Sequence, residues 1–327
     1  MIGNREPRIV IIGGGTGLPV LLRGLKQYPV DITAIVTVAD DGGSSGRLRE
    51  GMDIPPPGDI RNVLAALSDV EPLIEEIFQH RFTTSNELSG HSLGNLILAA
   101  MTSITGDFVH AIKVMSKVLN VRGKVLPAAN QIADLHAEMT DGTIVSGESR
   151  IPVAGKRIKK VFLTPKEISP LPETVHAIRQ ADLIIIGPGS LYTSILPNLL
   201  VPKLGNEVCR SKAKKVYICN LMTQAGETHQ YTASEHVKAI YDHMKCTFID
   251  TILVNSKQIP REILKPYHEE FANQVFCDHN KLYELGIEVV GGDLVTFEDG
   301  VIRHDTKLVA SILYSMLIHE TKKSFNA

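Results

Sequence analysis

Ile9-Val10-Ile11-Ile12-Gly13-Gly14-Gly15-Thr16-Gly17-Leu18 is the stretch that decides the fold. Four β-branched residues in a row read as a strand buried on both faces, because a half-exposed strand would alternate apolar with polar. The glycines then turn the chain tightly, and Leu18, Leu21, Leu22 and Leu25 fall on one face of a following helix. The same grammar recurs. Ile32 to Val38, Leu183 to Ile186, Val216 to Ile218 and Ile252 to Val254 read as further buried strands, while Ser234–Met244 and Asp305–Leu317 read as helices. Such alternation predicts an α/β fold: a Rossmann-like, mostly parallel sheet flanked by helices.

The middle of the chain departs from this pattern. From Asp59 to about Leu119 the periodicity is helical, and Asp141-Gly142 lies between alternating segments as in a β-hairpin. Asp299-Gly300 is a second turn of that kind. The expected organisation is one α/β domain over 1–327, with 1–58 and 150–320 as the Rossmann-like core and 59–149 as a helical insertion plus hairpin.

Composition narrows the function. The 327 residues are 43% apolar, and 34 basic side chains nearly balance 36 acidic ones. That is enough to bury a large core and too little net charge for disorder. A pI near 6.6 excludes a nucleic-acid binder that relies on bulk charge. The chain has no Trp, which excludes a Trp-built stacking platform. Cys209, Cys219, Cys246 and Cys277 form no CxxC or zinc spacing and are expected to be reduced. No apolar run reaches the ~18 residues of a membrane span, and the N-terminus does not read as a signal peptide. The expected location is the cytoplasm, with no membrane insertion.

Four loops carry the chemistry. At Gly13 to Gly17, glycines let backbone N–H groups approach phosphate oxygens at a positive helix end. The third glycine of a dinucleotide fingerprint would fall on Leu18, and a Walker lysine is absent, so neither motif applies. Asp40-Asp41-Gly42-Gly43-Ser44-Ser45-Gly46-Arg47 follows the second strand and suits a loop around a charged ligand. Gly187-Pro188-Gly189-Ser190 ends the strand at 183–186, with a helix expected from about Ser190. Asn220 to Thr228 follows another strand and is rich in hydrogen-bonding groups. Each loop has a structural alternative, a tight or solvated turn. Together they lie where an open α/β sheet binds ligands, at the carboxyl ends of its strands. Gly90-His91-Ser92-Leu93-Gly94 matches GxSxG, but a nucleophile elbow needs an apolar strand before it and a polar stretch stands there. His91, Ser92 and Asn95 are expected instead to start a helix, capping it or holding an anion. Pro55-Pro56-Pro57 is a stiff loop that can position Asp53 and Asp59.

In that order, Gly13-Gly14-Gly15-Thr16-Gly17-Leu18, Asp40-Asp41-Gly42-Gly43-Ser44-Ser45-Gly46, Pro57-Gly58-Asp59-Ile60-Arg61-Asn62, Gly90-His91-Ser92-Leu93-Gly94-Asn95, Gly187-Pro188-Gly189-Ser190 and Cys219-Asn220-Leu221-Met222-Thr223-Gln224 resemble the CofD-like superfamily, and within it the bacterial YvcK-type gluconeogenesis factors. The resemblance spans nearly the whole chain. It implies nucleotide binding across the strand ends and two functional branches. One binds UDP-sugars such as UDP-N-acetylglucosamine and supports cell shape and cell-wall morphogenesis under gluconeogenic growth. The other transfers phospholactate from a nucleotide-activated donor to a deazaflavin, with magnesium. Gly17-Leu18 departs from the Gly-Gly expected of the transferases, which favours the binding branch.

The ligand-binding residues expected on this reading are Gly14, Gly15, Thr16, Gly17, Asp40, Asp41, Ser44, Ser45, Gly46, Asp59, Asn62, His91, Ser92, Asn95, Gly189, Ser190 and Asn220. Tyr267 is a candidate to stack on the base, and Arg303 to meet base or phosphate. Asp41 and Asp59 are the candidate magnesium ligands, with no obligatory cofactor. No catalytic triad is readable. A symmetric dimer and a protein partner in cell-wall regulation are expected, and no nucleic acid. Thr306, after a capping Asp305, is placed where a phosphate would sit at a helix end beside Arg303.

Overall fold

The computed structural model describes residues 5–70, 72–83, 87–298 and 300–326. The strand read at Ile9–Ile12 is β1 (Arg8–Gly13), followed by α1 (Gly17–Leu25) and β2 (Asp31–Val36). Next come α2 (Gly43–Met52), α3 (Gly58–Leu67), α4 (Pro72–Gln79), α5 (Leu93–Thr105) and α6 (Phe108–Val118), which lead into β3 (Lys124–Pro127). A small antiparallel unit, β4 (Asp134–Met139), β5 (Ile144–Ser146) and β6 (Ile158–Thr164), precedes α7 (Pro172–Gln180) and β7 (Leu183–Ile186). A π-helical turn (Leu191–Ile195) then runs directly into α8 (Leu196–Leu199) and α9 (Pro202–Arg210). The remainder is β8 (Lys214–Ile218), α10 (Ala233–Met244), β9 (Thr251–Asn255), α11 (Arg261–Glu269), α12 (His279–Glu284), β10 (Glu288–Gly292), the hairpin β11 (Val295–Glu298) and β12 (Val301–His304), and α13 (Thr306–Asn326).

Seven strands form one sheet in the order β10-β9-β8-β7-β1-β2-β3, every pairing parallel. The expected Rossmann-like α/β fold is present. Both faces of β1 are apolar, as its sequence requires. Ile9 and Ile11 pack with α1, α3 and α13 residues on one side, while Val10 and Ile12 pack with residues of α7, α8 and α10 on the other. From β1 the chain winds one way through β2 and β3, then crosses back to β7 and winds the other way. The reversal puts the topological switch point between β1 and β7, where open α/β sheets bind ligands.

Several expectations need correction. β3 lies within the 59–149 stretch read as an insertion, yet it pairs with β2 as an edge strand of the main sheet. Its sequence, Lys124-Val125-Leu126-Pro127, sets only two apolar residues between a charge and a proline and so gives no buried-strand run. Residues 43–46, read as loop, are the first turn of α2. Cys209 and Cys246, expected to be reduced, are joined in a disulfide with Cα atoms 6.7 Å apart. Folding brings the end of α9 beside the end of α10, a proximity that cysteine spacing does not reveal. The hairpin turn at Asp141-Gly142 is present between β4 and β5. The turn read at Asp299-Gly300 falls partly outside the described residues, since Asp299 is not among them. Among the described residues no helix is long and apolar enough to cross a membrane.

Asn198 ties the switch point together. It is fully buried on α8, and its Nδ2 donates to Gly13 O at 3.0 Å and to Ser194 O at 2.8 Å. Replacing it with Leu keeps the bulk and removes both donors. Two buried hydrogen bonds at about 1 kcal/mol net each predict a loss of about 2 kcal/mol. Urea unfolding checks this, and a change below about 0.5 kcal/mol would show that the tie carries no stability.

Candidate functional site

The carboxyl ends of β1 and β7 are pressed together through residues that have no room for side chains. A Cβ on Gly14 would lie 2.7 Å from both Asp59 Oδ2 and Thr37 Cγ2, and one on Gly189 would lie 3.1 Å from Gly14 O. Gly15 has φ +65°, a left-handed conformation that glycine adopts without strain. Beside this contact lies a cavity of about 290 Å³. Of the residues expected from sequence, Gly15, Thr16, Gly17, Gly189, Ser190, Asn220, Tyr267 and Arg303 all line it. Arg303 is its only charged lining residue among those described. A second hollow of about 360 Å³ adjoins it, sharing Thr16, Val20 and Arg303 and adding Arg23, Asn62 and Gln79.

Two carboxylates already hold the amides that a ligand anion would seek. Gly15 N donates to Asp59 Oδ2 at 2.8 Å. Tyr192 N, at the start of the π-helical turn, donates to Glu227 Oε2 at 3.2 Å, and Thr193 Oγ1 donates to Glu227 Oε1 at 3.1 Å. Burial pushes Asp59 up to about 6; the Gly15 N–H opposes this and the charge of Asp40 adds to it. Burial likewise raises the almost fully enclosed Glu227 to about 7. Glu148 is pushed to about 8, first by burial and then by Asp40, Asp59, Glu227 and Asp41 around it. Sequence reasoning did not single out Glu148 or Glu227: Glu227 lies within the Asn220–Thr228 loop, but its partners Tyr192 and Thr193 are distant in sequence, and Glu148 gathers its acidic neighbours only in the fold.

The remaining expected residues lie apart from the cavity. Asp41 Oδ1 accepts from Ser149 N at 2.8 Å, and Asp40, not Asp41, is the carboxylate that acts on Asp59. Among the described residues no group of three or more His, Cys, Asp or Glu side chains could hold a metal ion, and the candidate magnesium ligands Asp41 and Asp59 accept from Ser149 N and Gly15 N. Gly46 N is already bonded to Gly42 O, and a Cβ at Gly46 would strike Asp41 O, so this glycine serves close packing. A Cβ on Gly58 would fall 2.3 Å from Ser45 Oγ, so buried Ser45 packs against the start of α3. Ser44 Oγ lies 2.9 Å from His91 Nδ1 and accepts from Asn95 Nδ2 at 3.0 Å. That cluster pins the start of α2 to the start of α5. Burial, then Arg47 and Arg81, holds His91 below the ordinary imidazole range. Ser92 is fully buried and caps α5 by accepting from Asn95 N at 3.3 Å. Asp305 caps α13 by accepting from Leu308 N at 3.0 Å, and Thr306 follows it at the cavity wall.

The family described as 2-phospho-L-lactate transferase CofD matches residues 9–295. The chain is 69% identical over 314 residues to a gluconeogenesis factor of Bacillus subtilis (strain 168), covering 96% of this chain and 99% of that protein. It is 51% identical over 318 residues to a gluconeogenesis factor of Listeria monocytogenes, covering 97% and 98%. A crystal structure of a UPF0052-family protein from Bacillus halodurans superposes with a TM-score of 0.92 at 59% identity, covering 95% of this chain and all of that one.

Two outcomes follow from the geometry. A carboxyl whose folded pKa is raised binds its proton more tightly when folded, so stability falls as pH rises from about 4 towards 6. Asp59→Asn keeps an acceptor for Gly15 N and removes this dependence. In urea unfolding at pH 4.5 and 7, the variant should lose less stability over that interval than the wild type, by about 1–2 kcal/mol after allowing for partial solvent screening. Identical pH dependence in the two proteins would contradict the placement of Asp59. Separately, a fluorophosphonate should leave Ser92 unlabelled, whereas Ser92→Ala should cost about 1 kcal/mol as a lost cap. Stoichiometric labelling of Ser92 would instead mark a nucleophile.

Proposed function

This chain belongs to the CofD family, and on that basis we propose that it is a UDP-sugar-binding factor, with UDP-N-acetylglucosamine as ligand, that supports cell shape and cell-wall morphogenesis during gluconeogenic growth. The observation that carries the reading is the pair of adjoining hollows at the β1–β7 switch point. A sugar nucleotide is a two-part ligand joined by a diphosphate, and the hollows meet at Thr16 and Arg303. The uridine enters the hollow with Tyr267, and the sugar enters the one with Asn62 and Gln79. The diphosphate crosses Thr16, within reach of the Arg303 guanidinium and the Ser190 hydroxyl. The gluconeogenesis-factor relatives support the physiological half of the reading.

A second reading, phospholactate transfer, draws on the family description and on one observation. Asp59 lies against the phosphate loop with a pKa near neutrality, suited to accept a proton from an attacking hydroxyl. Turnover of a nucleotide-activated phospholactyl donor with a deazaflavin acceptor and magnesium would favour it. Binding of UDP-N-acetylglucosamine without such turnover favours the first.

Thr16 provides the cleaner test of the site. Gly15, with its positive φ, would be strained by any side chain, whereas Thr16 is exposed with φ −84°. Thr16→Glu places a carboxylate in the path of the diphosphate without backbone strain. Loss of a charge-assisted contact plus repulsion, each about 1.5 kcal/mol or more, predicts at least ~100-fold weaker binding by calorimetry. The thermal midpoint should stay within about 2 °C of wild type. Wild-type affinity in a folded Thr16→Glu protein would remove the phosphates from this loop.

A further inference from the structure

His304 ends β12 and lines the cavity, yet no glycine loop or recognised motif contains it. Its Nε2 lies 3.2 Å from Cys219 O. A carbonyl oxygen can only accept, so Nε2 carries the proton and Nδ1 presents a lone pair. Burial pushes this imidazole down to about 4, which keeps it in that neutral form across the physiological range. Nδ1 has no hydrogen-bond partner among the described residues.

Two neighbours repeat the arrangement. Asn220 Nδ2 donates to Gly189 O at 3.0 Å, another carbonyl, which leaves the amide oxygen as an acceptor. Oδ1 is buried without a partner. Gln224 Nε2 donates to Ser190 Oγ at 2.8 Å, and Gln224 Oε1 is likewise buried and unpaired. An orphaned buried acceptor costs free energy comparable to a lost hydrogen bond. Here three unpaired acceptors belong to residues that line one cavity wall, with their donor sides committed to the protein.

Resting on the proposed UDP-sugar reading, we infer that His304, Asn220 and Gln224 form a nucleoside-reading wall that takes the three hydrogen-bond donors of uridine. Those donors are N3–H of the base and the 2′ and 3′ hydroxyls of the ribose. The wall therefore selects an unmodified ribonucleotide. A 2′-deoxy sugar, a 3′-deoxy sugar or a methylated N3 each removes one donor and leaves one acceptor of this wall unpaired, the situation in which binding sites discriminate most strongly.

The test is calorimetric titration of the full-length chain with UDP, 2′-deoxy-UDP, 3′-deoxy-UDP and N3-methyl-UDP. Each analogue is expected to bind at least fivefold more weakly than UDP. Any analogue that binds within fivefold of UDP overturns the three-donor assignment while leaving the proposed ligand intact. Failure of UDP and UDP-N-acetylglucosamine alike to bind overturns the ligand itself, a separable result. His304→Gln keeps a donor for Cys219 O and an acceptor for the ligand, and should retain at least part of the discrimination. His304→Leu should flatten it for one analogue and leave it for the others. Unchanged discrimination against all three in a folded His304→Leu protein would remove His304 from the wall.

Discussion

The close approach of the β1 and β7 carboxyl ends is the constraint on which the rest of the molecule depends. Strand order forces these ends together, because β1 and β7 are adjacent parallel strands and the order of the sheet reverses between them. Gly14, Gly17, Pro188 and Gly189 meet there at distances that leave little or no space for larger residues. Asn198 then stitches Gly13 to the π-helical turn that follows β7. A ligand site here requires little mobile chain. It is the surface of a packed joint, and its floor consists of backbone donors and acceptors fixed by the sheet.

The joint carries its own anions. Asp59 and Glu227 occupy amides that a phosphate would otherwise take, and both are held near neutrality by burial. An unliganded helix start or glycine turn would leave N–H groups without partners, at a cost in stability. The carboxylates satisfy them from within the chain. On the proposed reading a diphosphate would lie across Thr16 and Arg303 beside these acids, or displace them, and their charge would limit its affinity. That balance distinguishes this site from a glycine loop with free amides, which grips phosphate directly.

Much of the sheet was legible because its strands are buried on both faces and so appear as unbroken apolar runs. Leu183 to Ile186 is reproduced residue for residue, and β1, β8 and β9 within two at either end. β3 and β10 escaped detection. β3 (Lys124-Val125-Leu126-Pro127) has only two apolar residues between a lysine and a proline, and β10 (Glu288–Gly292) carries two glycines and an acid, so neither has the run that marks a buried strand. The cavity was legible where residues sat on glycine loops, as Gly15, Thr16, Gly189 and Ser190 did. Tyr267 and Arg303 came from chemistry alone, and the fold brings both to the same wall from α11 and β12. His304, Gln224 and Glu227 act through partners distant in sequence, Cys219, Ser190 and Tyr192, so their roles exist only once the chain is folded. The serine of GxSxG shows the converse: its pattern is local and complete, yet the buried cap it forms has no catalytic geometry.

Hydrogen–deuterium exchange with and without UDP-N-acetylglucosamine tests the central claim, that the ligand spans the β1–β7 switch point. The molecule supplies its own control, a cavity of about 740 Å³ at the amino ends of β1 and β2 between α6 and α7. The predicted result is ligand-dependent protection over 13–17, 187–194, 219–224 and 301–306, with no change over 110–117 and 172–180. Protection confined to the α6–α7 cavity, with the switch-point loops exchanging as in the free protein, would contradict it.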